Sequence, residues 1–81
     1  MAKFPCPCCK FLTLPELGGF ALCPVCFWED DGQTEANADE VRGGPNFDLS
    51  LRQAQANFKR FGAMAEHLIS KVRPPNSDEI P

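Results

Sequence analysis

Residues 6–26 read CPCCKFLTLPELGGFALCPVC, and any fold of the chain must accommodate two cysteine pairs of equal spacing within this one segment. Two residues separate Cys6 from Cys9 and Cys23 from Cys26, and in each pair a proline directly follows the first cysteine. That spacing lets a tight turn aim both sulfurs at one point. Between the pairs, Phe11-Leu12-Thr13-Leu14 and Phe20-Ala21-Leu22 read as short strands around Pro15-Glu16-Leu17-Gly18-Gly19, a turn rich in breakers. The expectation is a β-hairpin with a cysteine turn at each end. Brought together, the two turns would supply the tetrahedron of thiolates that zinc takes at about 2.3 Å, so Cys6, Cys9, Cys23 and Cys26 are the expected ligands of a ribbon-type Zn2+ site.

Chain length gives such a site a purpose. Eighty-one residues make one domain with little apolar surface to bury, and a metal staple would offset that shortfall. The five cysteines are an odd number, which argues against a closed disulfide framework. Met1-Ala2-Lys3-Phe4-Pro5 leads into them without the apolar stretch of a secretory leader, so the expected location is the reducing cytoplasm. No apolar run approaches a membrane span, and no membrane association is expected. With 43% hydrophobic and 23% charged residues and a net charge of −3, the composition is that of a globular domain without a basic face for phosphates.

The second half reads as helical. Ser50-Leu51-Arg52-Gln53 has the form of a capping box, and Leu51, Ala54, Phe58, Phe61, Ala65, Leu68 and Val72 follow at three- and four-residue steps. This stripe is most simply core packed against the hairpin. Gly62 interrupts it, so one long C-terminal α-helix and two short ones both fit. Arg73-Pro74-Pro75 ends the helical region, and residues 76–81 read as a flexible polar tail, leaving 1–75 as the domain. The fold class is therefore small α+β.

Other residues invite a chemical reading. Cys8 could be an accessory redox thiol pairing with Cys9 or an outside thiol; the plainer reading is a small residue packed beside the site, since Cys6-Pro7-Cys8 spaces two ligands poorly. His67 falls off the apolar stripe and reads as a surface residue. Phe27 and Trp28, directly after the second turn, read as an apolar lid over the metal and a bridge to the helix. Residues 30–46 are expected to be loop, with at most a short turn at Asn37 to Val41. Within and beside it, Glu29, Asp30, Asp31, Glu35 and Asp39 form an acidic cluster that matches no calcium-loop pattern. These carboxylates either recognise a basic protein partner or order the loop by accepting backbone N–H groups and pairing with Arg42 or Arg52.

Taken together, Cys6-Pro7-Cys8-Cys9, Phe11-Leu12-Thr13-Leu14-Pro15, the run from Cys23 to Gly32, Arg42-Gly43-Gly44, Asn46, Asn57-Phe58, Phe61-Gly62-Ala63 and Val72-Arg73-Pro74-Pro75 resemble the cysteine-rich CPCC family of small, mainly bacterial proteins. The resemblance runs from about Pro5 to Pro75 and bears on fold and boundaries; the family has no settled biochemical function. Its pattern has glycine where this chain has Lys10, at a tight turn that favours glycine.

Three functions fit these readings. The first is a zinc-stapled protein-interaction module that binds an unidentified protein through its acidic loop and is no enzyme, because a closed four-thiolate zinc leaves no position for water. Four thiolates also suit a single iron, which would make a redox or electron-transfer protein. Many zinc ribbons bind nucleic acid, a function the acidic balance disfavours.

Overall fold

The computed structural model describes residues 3–81. Two antiparallel strands, β1 (Phe4–Pro5) and β2 (Leu12–Leu14), pair with Phe4 opposite Leu14 and Pro5 opposite Leu12, with a register shift between the two pairs. This hairpin closes around the first cysteine turn. The Cys6 N–H donates to the Phe11 carbonyl at 2.9 Å, and the Lys10 N–H donates to the Cys6 carbonyl at 2.8 Å. The second cysteine turn repeats the scheme, with the Cys23 N–H on the Trp28 carbonyl at 2.9 Å and the Phe27 N–H on the Cys23 carbonyl at 2.8 Å. A single bridge between Leu22 and Glu29 flanks it.

The strand partners differ from the sequence expectation. Residues 20–22 do not form the second strand of a hairpin with 11–14: the Phe20 N–H donates to the Asp30 carbonyl and the Asp30 N–H to the Ala21 carbonyl, at 2.9 and 3.0 Å. Each cysteine turn is thus the tip of its own small hairpin. The Pro15–Gly19 segment does not fold back on 11–14 because the Gly18 N–H is held by the Asp30 carboxylate and Gly18 and Phe20 take left-handed φ values of 72° and 60°, which turn the chain towards Asp30. The architecture remains a small α+β, zinc-ribbon-like fold with two cysteine turns.

Helix α1 (Leu51–Phe61) starts where the Ser50 Oγ accepts the Gln53 N–H at 3.0 Å. Only this half of the capping box forms, because the Gln53 side chain donates to Asn57 Oδ1. The helix ends at Gly62, which has φ 80° and donates its N–H to the Phe58 carbonyl. The apolar stripe continues past the break: Ala63, Met64 and Ala65 are buried, followed by Leu68 in a 3-10 helix (Glu66–Lys71). The helical half is therefore one α-helix and one 3-10 helix. Gly62 ends α1 in the left-handed region, Ala65 is extended, and Pro74-Pro75 closes the second piece after Lys71, so the stripe is carried on two separate helical pieces.

Leu14, Val25, Trp28, Leu51 and Met64 form the centre of the core beside Cys6, Cys23 and Cys26. Residues 30–46 pack more tightly than a polar loop suggests. A 3-10 turn (Glu35–Asn37) sits under a Thr34 cap, and the buried Gln33 side chain donates to the carbonyls of Asn37 and Glu40 at 3.0 and 2.8 Å. Buried Asn46 holds Glu29 from both sides, accepting its N–H and donating to its carbonyl. Polar side chains here supply the backbone partners that a ladder would otherwise provide.

At the other end, the chain assigned to a tail makes a further 3-10 turn (Ser77–Glu79). Glu79 is 2% exposed and its two carboxylate oxygens receive both terminal nitrogens of Arg73, at 2.8 and 2.9 Å. Packing thus runs past Pro75 to Glu79. Among the described residues, no helix is long and apolar enough to cross a membrane.

Candidate metal centre

Each cysteine turn is built by a proline that fixes φ after the first cysteine and by a residue in the left-handed region that reverses the chain after the second. Those reversing residues are Lys10 and Phe27, at φ 72° and 74°. The helical half then ties both turns down. Gln55 donates to the Pro7 carbonyl at 2.9 Å, the Arg73 N–H to the Pro24 carbonyl at 3.2 Å, and the Met64 N–H to the Cys26 carbonyl at 2.8 Å.

The result is a cluster in which the sulfurs of Cys6, Cys9, Cys23 and Cys26 all lie within 4.8 Å of one another. Cys6 and Cys26 are 3.5 Å apart, and Cys9 and Cys23 are 3.7 Å apart. A tetrahedron of thiolates at about 2.3 Å from a central ion has sulfur separations of about 3.8 Å, so the cluster has the dimensions of such a site. No disulfide joins these cysteines. The four side chains could therefore hold a metal ion.

Crowding also controls the protons. The Cys23 thiol is pushed far below its ordinary value because Cys26, Cys6 and Cys9 donate to it, with Thr13 adding a hydroxyl donor at 3.0 Å. The thiols of Cys6, Cys9 and Cys26 are pushed far up, first by their hydrogen bonds to Cys23 and then by other neighbouring thiols and burial. Four thiols this close oppose one another's ionisation, and a bound cation would favour the thiolate form of all four. Thr13 went unnoticed in the sequence, although a hydroxyl in an otherwise apolar strand beside cysteines is a usable signal.

Cys8 is 4% exposed and stands outside the four-sulfur cluster. Trp28 is wholly buried in the core, while Phe27 is partly buried and packs against it. His67 is exposed and meets the edge of Phe47, with ring centroids 5.1 Å apart.

The acidic residues divide. Asp30 does not face a partner: it is 2% exposed, and its carboxylate accepts the N–H groups of Gly18 at 2.6 Å and Gly32 at 3.2 Å. It joins the inter-turn segment to the acidic loop, a structural duty that explains its burial. Asp31 accepts the Gln33 N–H, and Glu29 is half-buried. Glu35 and Asp39 are exposed and both engage Arg52, with Lys10 3.6 Å from Glu35. Arg52 and Gln55 hold the Glu35 carboxyl below its usual range, the Gln55 bond contributing most.

Two short hairpins that present cysteine turns to one point, covered by a helix, define a small cysteine-cluster protein of zinc-ribbon-like architecture. The chain belongs to the Cysteine-rich CPCC family, whose model matches residues 4–79. No curated protein matches the chain.

Proposed function

We propose that the chain is a zinc protein whose metal is structural, and that it acts as a protein-interaction module and not as an enzyme. The observation that carries this reading is the four-sulfur cluster, with separations suited to a tetrahedral ion and no fourth position left for water. Zinc bound by Cys6, Cys9, Cys23 and Cys26 would fix the relative positions of the two hairpins, which share no extended sheet. The surface offered to a basic partner is the acidic face of Asp31, Glu35, Asp39 and Glu40, the latter three exposed, in a protein of net charge −3. Asp30 belongs to the support of that face.

Metal analysis of the purified protein and of single Cys→Ser variants tests the reading. One zinc per chain, lost with the fold in each of the four ligand variants, is expected; full metal and fold in Cys23→Ser would overturn the assignment. Iron in its place would give visible thiolate absorption and return the redox reading.

A further inference from the structure

The four cluster cysteines are not equally sealed. Cys6, Cys23 and Cys26 are 0% exposed, whereas Cys9 is 9% exposed and opens, with Cys8, on a surface cleft of about 480 Å³. Phe11 and Phe58 line this cleft and meet edge to face, with ring centroids 6.2 Å apart. Its rim carries Lys10, Arg52 and Lys59 against the single carboxylate of Glu35, an excess of positive charge on a chain of net charge −3. Lys10 and Arg52 pair with Glu35, and Arg52 with Asp39 as well, while Lys59 takes part in no ion pair among the described residues and carries the unpaired charge of the rim.

We propose that this cleft is the exchange port of the metal centre and that it takes small anionic thiols. The proposal rests on the zinc reading above. A thiol bearing carboxylates would be drawn by the cationic rim, lay its methylene groups on the aromatic wall, and meet Cys9, the least buried of the four ligand residues. With the metal bound, Cys9 would be the ligand that yields: its Sγ would take the proton of the incoming thiol, whose sulfur would replace it, one metal–sulfur bond breaking as one forms with nothing oxidised or reduced. Cys6, Cys23 and Cys26 would keep their hold, and the incoming sulfur would stand as the fourth ligand in place of Cys9.

The test follows zinc transfer from the loaded full chain to a chromogenic indicator in the presence of mercaptosuccinate or of neutral 2-mercaptoethanol. Mercaptosuccinate is expected to accelerate transfer in proportion to its concentration. Lys59→Glu is expected to reduce the ratio of the two thiols' rates by about tenfold, and added salt to reduce it in the wild type. Equal ratios in wild type and Lys59→Glu, or release at a rate independent of thiol and equal to that of global unfolding, overturn the port while leaving the zinc reading intact. A chain that purifies without zinc and takes none up overturns both.

Discussion

Lys10 and Phe27 hold the same place in two copies of one turn. Each donates its N–H to the carbonyl of the cysteine that opens its turn, at 2.8 Å in both, and each does so at a φ in the left-handed region, 72° and 74°. The pair of turns is therefore a structural repeat, Cys6 to Phe11 and Cys23 to Trp28, in which a residue with a Cβ occupies a conformation suited to glycine.

The first prediction follows from this strain. Lys10→Gly should stabilise the zinc-loaded protein by up to about 1 kcal/mol, since a left-handed residue with a Cβ costs about that much. The exposed pair with Glu35 that is lost contributes little. Phe27→Gly relieves the same strain but removes a side chain packed on the core, and should destabilise. Urea unfolding of both variants at equal zinc content checks the opposite signs.

Asp30 and Asp39 provide the second. Both are loop aspartates in the sequence, but Asp30 is 2% exposed with two backbone donors, while the Asp39 side chain is 85% exposed. Asp30→Ala leaves the Gly18 N–H without its acceptor and should cost about 1–3 kcal/mol. Asp39→Ala should stay within about 0.5 kcal/mol of wild type. Thermal melting with zinc measured before and after separates the two.

That contrast also marks how far the sequence could be read. The paired spacing of Cys6/Cys9 and Cys23/Cys26 located the cluster because a two-residue turn is a local constraint. Ser50 and Gly62 marked the ends of α1 for the same reason. Strand pairing was not legible: Phe11 to Leu14 and Phe20 to Leu22 each have the composition of a strand, but their partners, Phe4–Pro5 and the backbone of Glu29–Asp30, are chosen by contacts that composition does not show. Nor could composition tell Asp30 from Asp31, or show that Gln33 and Asn46 turn inward, since burial of a polar side chain depends on backbone groups distant in sequence. Glu79 was hidden similarly, as its partner Arg73 sits beyond two prolines.

Glu79 gives a prediction in pH. Arg73, first, and the Asn76 N–H hold its carboxyl down from an ordinary 4.5 to about 2. A carboxyl whose value is depressed in the folded state adds stability that is fully present above the unfolded value and is lost as pH falls towards the folded one. Glu79→Gln should therefore be less stable than wild type by a constant margin above about pH 5, and the margin should narrow only as pH falls below 4.5 towards 2. Urea unfolding under excess zinc follows the margin down to the pH at which acid strips the metal.

Cys8 is predicted to be dispensable for the metal. It stands outside the four-sulfur cluster, so Cys8→Ser should keep one zinc and the fold, whereas Cys9→Ser should lose both. Loss of zinc in Cys8→Ser with retention in Cys9→Ser would exchange their roles.

The last prediction concerns the acidic face. Glu35 cannot be removed cleanly, because Arg52, Lys10 and Gln55 all engage it and its loss would leave Arg52 beside Lys10 without the carboxylate that joins them. Asp39 and Glu40 are better probes: both are exposed, and their ion pairs with Arg52 and Arg42 are solvated ones of little energetic weight. The double variant Asp39→Asn, Glu40→Gln should therefore fold, bind zinc and melt as wild type does, while losing affinity for a basic partner. Because charges at an exposed rim are screened over about 8 Å at physiological ionic strength, the wild-type complex should weaken as salt rises and the variant's should respond less. The measurement is salt-dependent affinity for the partner recovered with the intact protein, alongside a zinc assay and a melting curve for each chain. Undiminished, salt-insensitive binding by the variant would remove the acidic face from the interaction. It would direct attention to the groove lined by Val25, Phe58, Val72 and Pro74, on the side of the helical half that meets the second cysteine turn.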